Sequence, residues 1–351
     1  MKYNLFSILM LFVLCFSSCK KNAKSEIKID QYINQVKNLY GIPGIALAII
    51  ENGNIVYKKN YGKANIEHNV IISDSSVFRN YSLTKPIVAT ALFQLVEKNK
   101  ISLDDEISSY LEDLPISWKK VKIKNLLRHS SGLPDIKRYE HLPEDKAKLK
   151  VYNDSINFIQ NSEFQYNQTN YWLLLRIIEK ISNQKLEDFI IQNQFANATK
   201  QEGIYFSTDS RDIEKNRVTL YTTFNEGKFQ IDNPFRKRYL TGANGLNITL
   251  NQFIKWDKRF TDNKLLNESY KNKMWESVDF ANDNRKWAYG WNEHNLDNHI
   301  SYGFSGSMVT AYRNFPKDNL SIIYLSNGFE KRYDVENVID HLAKMVFNKL
   351  Q

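Results

Sequence analysis

Hydrophobic and polar positions change their period several times along this chain, and each change predicts an element. From Ile27 to Tyr40 apolar residues recur at the three-to-four-residue spacing of an amphipathic helix. "GIPGIALAIIENGNIVYKKNYG" then gives two apolar runs around Glu51-Asn52-Gly53-Asn54, and Asn-Gly between such runs signals a β-hairpin. A long apolar helix is predicted from near Ser82 to about Asn99. Between about Val121 and Asp262 the pattern is mostly helical and loop-like, with "IKNLLRH", "NYWLLLRIIEKISN", "LEDFIIQNQF" and "LNQFIKWDKRF". Strand-like runs return in "KWAYGWNEH", "MVTAYRNFP" and "LSIIYLSNG", ahead of a last helix from about Val335 to Lys349. Strands at both ends with helices between predict an α/β sandwich: an antiparallel sheet built from both chain ends, flanked by helices, with an inserted, mostly helical lobe. The α/β part is expected at about residues 27–100 and 263–349, and the lobe at about 101–262.

The amino terminus follows another pattern. "MKYNLFSILMLFVLCFSSCKKNAKSE" has an early lysine, an apolar run from Leu5 to Phe16, and small residues before a cysteine. That run is shorter than the roughly 20 residues a bilayer span needs, and it suits the core of a signal peptide over residues 1–18. "FSSC" resembles the lipobox of bacterial lipoproteins, which implies lipidation of Cys19, a short tether over residues 19–26 and a membrane-anchored life in the bacterial cell envelope. A plain secretory signal is the other reading.

Composition narrows the partners. With 42% hydrophobic and 25% charged residues, the 351-residue chain has the make-up of a packed globular protein. Its two cysteines, Cys15 and Cys19, leave the mature chain without a disulfide or a cysteine metal site. The net charge of +9 is scattered among Asp and Glu, so no basic face for nucleic acid is visible. The six histidines lack metal-ligand spacing, and neither metal nor cofactor is expected.

The candidate chemistry lies in "FRNYSLTKPIVATALFQLVEK", where Lys85 heads an apolar run. Residues three apart share a helix face, so Ser82 and Lys85 point the same way. Pro86 is tolerated only in a first helical turn, which puts Ser82 at the helix start. A lysine held among apolar groups loses basicity and can serve as a base for a neighbouring nucleophile. Spacing alone is weak: the mature chain has four Ser-x-x-Lys matches, at Ser25/Lys28, Ser82/Lys85, Ser117/Lys120 and Ser182/Lys185. The bland alternative is a capping serine with a snorkelling lysine.

Eight segments in order resemble the serine β-lactamase and penicillin-binding-protein superfamily, in its class C branch with D-alanyl-D-alanine peptidases and esterases. They are "GIPGIALAIIENGNIVYKKNYGKAN", "VFRNYSLTK", "KISLDDEISSYL", "IKNLLRHSSGLP", "FQYNQTNYWLL", "GANGLNITLNQFIKW", "YGW" and "GFSGSMVTAYRNFP". The resemblance implies acyl transfer through an acyl-serine on a small-molecule, peptide or ester substrate. By position it makes Ser82 the nucleophile, Lys85 its partner base, and Tyr166 the proton shuttle of a Tyr-x-Asn motif that reads Tyr-Asn-Gln here. Gln168 keeps the side-chain amide, one methylene longer, and is expected to bond Lys85 and substrate. The third motif, usually Lys-Thr-Gly or His-x-Gly, reads Phe304-Ser305-Gly306. Gly306 is expected to let substrate lie close, and the N–H groups of Ser82 and Ser307 to form the oxyanion hole. Phe304 supplies no cation, which favours a less charged ester or amide over penicillins; Arg313 is a remote substitute. The resemblance makes His129 part of a structural turn, and Gly242 and Gly245 backbone devices. A β-lactamase or D-Ala-D-Ala carboxypeptidase proper, and a low-activity binding protein, stay open as alternatives.

Overall fold

In the computed structural model, residues 26–225 and 228–348 are described. The leader, Cys19 and its tether therefore lie outside the described residues, apart from residue 26. The strands are β1 (Gly44–Glu51), β2 (Asn54–Asn65), β3 (Val70–Ile71), β4 (Val77–Arg79), β5 (Ile204–Phe206), β6 (Tyr221–Asn225) and β7 (Lys228–Ile231). They continue with β8 (Leu246–Thr249), β9 (Val278–Phe280), β10 (Asp283–Trp287), β11 (Asn292–Leu296), β12 (His299–Gly306), β13 (Thr310–Phe315) and β14 (Leu320–Ser326). The helices are α1 (26–40), α2 (Thr84–Glu97), α3 (Ile123–Leu127), α4 (Glu144–Asn153) and α5 (Thr169–Ser182). After them come α6 (Leu186–Gln194), α7 (Thr241–Asn244), α8 (Leu250–Thr261), α9 (Glu268–Met274) and α10 (Val335–Phe347).

Nine strands form one antiparallel sheet in the order β3-β2-β1-β14-β13-β12-β11-β10-β9, so the chain ends meet where β1 pairs with β14. Both strands are buried on both faces, which is why they read as nearly unbroken apolar runs. Alternation sorts their side chains. Ala46, Ala48, Ile323 and Leu325 face a large core shared with α2 and the helical lobe. Ile45, Leu47, Ile322 and Tyr324 face a second core with α1 and α10. At the β1–β2 hairpin Asn52 and Gly53 both take positive φ, +52° and +74°, as an Asn-Gly turn of this kind requires.

The span expected to be helices and loops also contains β5, β6, β7 and β8. β8 pairs with both β4 and β5 into a second sheet of three strands, so part of the first third of the chain is tied to residues 204–249. Strands of three or four residues are too short to show a period. Helix α8 packs on β1 and β14 and so belongs to the sandwich.

Gly290, in the "YGW" segment, has φ +81°, and a Cβ there would sit 2.5 Å from the Ala89 Cβ on α2 and 2.7 Å from the Tyr171 hydroxyl. Its N–H bonds the Leu127 carbonyl at the end of α3. This contact seats the sheet edge on α2 one turn beyond Lys85. Gly290→Ala is expected to lower unfolding stability by about 2–4 kcal/mol, combining overpacking with left-handed strain. Urea denaturation checks it, and a loss below about 0.5 kcal/mol, the range of neutral surface changes, would contradict the packing described.

Candidate active site

The chain enters the site on β4 and leaves on α2. Between them Tyr81–Leu83 makes one 3₁₀ turn, so Ser82 lies just before the α-helix. Tyr81 takes φ +46°, which costs a non-glycine residue about 1–2 kcal/mol. Tertiary contacts hold it there: the Thr84 hydroxyl donates to the Tyr81 carbonyl at 2.6 Å, and the Arg79 guanidinium lies 5.2 Å from its ring centroid.

Lys85 is 0% exposed. Its Nζ lies 3.2 Å from Gln168 Oε1, 3.1 Å from the Ala243 carbonyl and 3.3 Å from Ser82 Oγ. The rings of Tyr166 and Tyr171 lie 4.7 and 5.2 Å away. Among the described residues no carboxylate pairs with it. Desolvation by burial drives its basicity well below that of an ordinary lysine, Asp135 opposes the shift and Lys137 adds to it. A neutral amine has two N–H donors and one lone pair. The two carbonyl oxygens are acceptors and take the donors, so the lone pair is left for the Ser82 O–H. The Tyr166 hydroxyl donates to Ser82 Oγ at 2.7 Å, and burial pushes this phenol well above its usual range, so it stays protonated near neutral pH. A hydroxyl between a neutral amine and a phenol has the parts of a base-assisted nucleophile.

Gln168 is held from the lobe: its N–H and that of Lys137 both donate to Asp135 Oδ1 at 3.0 Å. On the opposite side β12 ends against the 3₁₀ turn. A Cβ on Gly306 would fall 2.2 Å from the Asn80 carbonyl, so glycine is required by the protein's own backbone there, a different reason from the expected room for substrate. That contact sets Ser307 beside Ser82 in a turn where Ser307 and Met308 have φ +48° and +63°. Phe304 is 5% exposed and packs against Tyr166 and Trp287, with centroids 6.4 and 6.2 Å apart.

Ser82, Tyr166, Gln168 and Ser307 thus line one cleft of about 440 Å³, with Lys85 beneath its floor. Ser305 does not join them: strand alternation turns its side chain to the far face, toward Glu336. Arg313 lies on that far face too, 0% exposed and ion-paired with Glu336 and Asp340, so it brings no cation to the cleft. The cleft's own charges are Arg79, an Arg236–Glu140 pair, Lys137, and Asp232, whose carboxyl burial pushes up. Sequence reasoning missed Asn244, whose Oδ1 is 3.5 Å from Ser82 Oγ, and the Ala243 carbonyl on Lys85. Both lie in "GANGLNI", where only the glycines drew notice, and nothing local marks their tertiary contact.

The Beta-lactamase family model matches residues 29–343. Protein flp of Staphylococcus aureus (strain N315) is 23% identical over 355 residues, covering 92% of this chain and 67% of that protein. Penicillin-binding protein 4* of Bacillus subtilis (strain 168) is 25% identical over 310 residues, covering 80% of this chain and 67% of its own. Among solved structures, the octameric penicillin-binding protein homologue from Pyrococcus abyssi superposes with TM-score 0.79 at 22% identity, over 92% of this chain and 77% of that one. EstCE1, described as a hydrolase with promiscuous acyltransferase activity, superposes with TM-score 0.74 at 15% identity, over 93% and 99%.

A lysine that is neutral when folded and protonated when unfolded makes the unfolded chain bind more protons, so stability rises with pH up to the ordinary lysine value of 10.5. Urea unfolding of wild type and Lys85→Met near pH 7 and near pH 10 checks this. Whatever the lost carbonyl contacts cost, wild type is expected to gain on the variant as pH rises. A pH-independent difference would contradict a neutral Lys85.

Proposed function

The chain belongs to the Beta-lactamase family, and from that premise we propose that it is a serine hydrolase forming an acyl-serine on an amide or ester substrate. One observation carries the reading: the Ser82 hydroxyl lies 3.3 Å from the buried Lys85 amine and 2.7 Å from the Tyr166 phenol, beside Ser307. Ser82 Oγ attacks the carbonyl carbon as Lys85 takes its proton. The N–H groups of Ser82 and Ser307 receive the oxyanion, a contribution commonly of about 3–4 kcal/mol per donor. Collapse breaks the bond to the leaving alcohol or amine, which Tyr166 protonates; Tyr166 then regains a proton from Lys85. Water attacks the acyl carbonyl, releases the acid and restores Ser82. Gln168 holds Lys85 and offers its amide N–H₂ to substrate.

Phe304 bears on the substrate class. A buried phenyl ring stands where relatives of the resembled branch place a cation, so the strand side of the cleft offers no partner to a carboxylate. This favours a peptidase or esterase type of substrate over β-lactams. A β-lactamase or D-Ala-D-Ala carboxypeptidase proper would draw its anchor from Arg79, Lys137 or Arg236 elsewhere on the cleft wall, and penicillin-binding relatives keep that reading in view. An enzyme anchored to the envelope through Cys19 is part of the proposal, supported by the leader and "FSSC" alone.

Intact mass after exposure to a fluorophosphonate, an activated ester, a penicillin and a cephalosporin tests the reading. A covalent adduct present in wild type and absent in Ser82→Ala is expected, with β-lactam adducts appearing only in Phe304→His. No adduct from any reagent would sink the hydrolase and leave a binding protein. Tyr166→Phe is expected to lower kcat/KM for the ester by about 10²–10⁴-fold, the usual range for a lost acid–base group; a loss under about threefold would remove Tyr166 from the proton path.

A further inference from the structure

His129 takes no part in the steps above, yet it is 1% exposed and built against them. Its carbonyl accepts the Gln165 N–H at 2.9 Å, and its Nδ1 accepts the Asn167 N–H at 3.3 Å. Tyr166 lies between those two residues, and its ring covers the imidazole at 4.5 Å between centroids with a 38° tilt. A third group, Asn170 Nδ2, lies 3.0 Å from the same Nδ1. The Asn170 Oδ1 accepts from the Ser131 hydroxyl at 2.6 Å, and the backbone N–H of Asn167, which can only donate, makes Nδ1 the acceptor toward which the Asn170 nitrogen turns.

Two donors on Nδ1 leave no room for a proton there, so the imidazole carries its proton on Nε2. Among the described residues Nε2 has no oxygen or nitrogen partner. The ring is surrounded instead by Tyr166, Tyr171, Phe164 and Trp287. Protonating Nδ1 would set an N–H against two donors, and burial disfavours the imidazolium. The residue is also held at φ +54°, a conformation a β-carbon makes costly and that persists only where tertiary contacts impose it.

We infer that His129 is a positioning residue: as a neutral acceptor it clamps the backbone on either side of Tyr166, sets the phenol over Ser82, and through Asn167 sets the reach of Gln168 to Lys85. The inference rests on the proposed acyl-serine chemistry. It goes further by giving a task to a histidine that belongs neither to a metal site nor to a Ser-His dyad.

Two variants of the full mature chain separate the acceptor from the ring. In His129→Asn the amide Oδ1 stands where Nδ1 does, and asparagine tolerates positive φ. In His129→Phe the ring packing is kept and the acceptor is lost. Hydrolysis of a neutral p-nitrophenyl ester and the rate of fluorophosphonate labelling are read alongside thermal unfolding. For His129→Phe kcat and labelling are expected to fall about tenfold or more, as a misplaced reacting group does, with KM little changed. His129→Asn is expected to recover to within about threefold of wild type. Equal rates in all three proteins would overturn the inference, and so would equal losses in the two variants, because packing alone would then explain them. If His129→Phe does not fold, a tenfold loss in folded His129→Asn overturns it. A wild type that no reagent labels sinks the acyl-serine reading itself, a result separate from any ratio between variants.

Discussion

An amine buried in an apolar helix with no carboxylate to neutralise it is the constraint on which this structure turns. Among the described residues Lys85 meets only oxygens of Ser82, Gln168 and Ala243, together with two tyrosine rings. Each partner comes from a different part of the chain: the 3₁₀ turn, the start of α5 and the helix α7. A charged ammonium there would need a counter-ion, and its absence is what makes a neutral base available near neutral pH. The fold can be read as the means of bringing those oxygens to one nitrogen. The nine-stranded sheet supports α2, Gly290 lets the sheet edge approach that helix, and Asp135 holds Gln168 from the lobe.

Setting aside glycine and the asparagines and aspartate that tolerate positive φ, the described residues in that region are Tyr81, His129, Ser307 and Met308 around the same point and Ala196 away from it. Tyr81, His129 and Ser307 all have positive φ without being glycine, and they stand respectively before the serine, beneath the tyrosine and across the cleft. Each conformation costs about 1–2 kcal/mol. Contacts around them hold that cost in place: Thr84 on Tyr81, the asparagine pair on His129, and the abutment of Gly306 on Asn80 behind Ser307. Strain at a site that surrounding packing over-determines is a common sign of preorganised chemistry.

Local signals were legible in the sequence, and long-range ones were not. The Asn52-Gly53 hairpin, α2 and the doubly buried strands β1 and β14 follow from patterns within a few residues, and the sandwich assembled from both chain ends follows from their order. Ser82 and Lys85 stood out only because Pro86 and the apolar run gave one Ser-x-x-Lys match a context. The sheet of β4, β8 and β5 was invisible because its strands are too short to have a period. Ser305 went astray because a strand motif names three neighbours in sequence, while the pleat sends alternate side chains to opposite faces; Arg313, weighed only as a remote cation, is taken up by Glu336 and Asp340. Asn244 and the acceptor role of His129 depend on partners far away in the chain, such as Ser82 and Asn167, which no single-sequence spacing reveals.

All of this depends on the charge of one side chain, which an NMR titration of Lys85 itself would read, assigned by comparison with Lys85→Met in protein carrying ¹³C-labelled lysine. A Cε resonance at the position of a neutral amine is expected at pH 7, moving to that of an ammonium only at lower pH. A Lys85 resonance that stays at the ammonium position through neutral pH and titrates near the ordinary lysine value would contradict it.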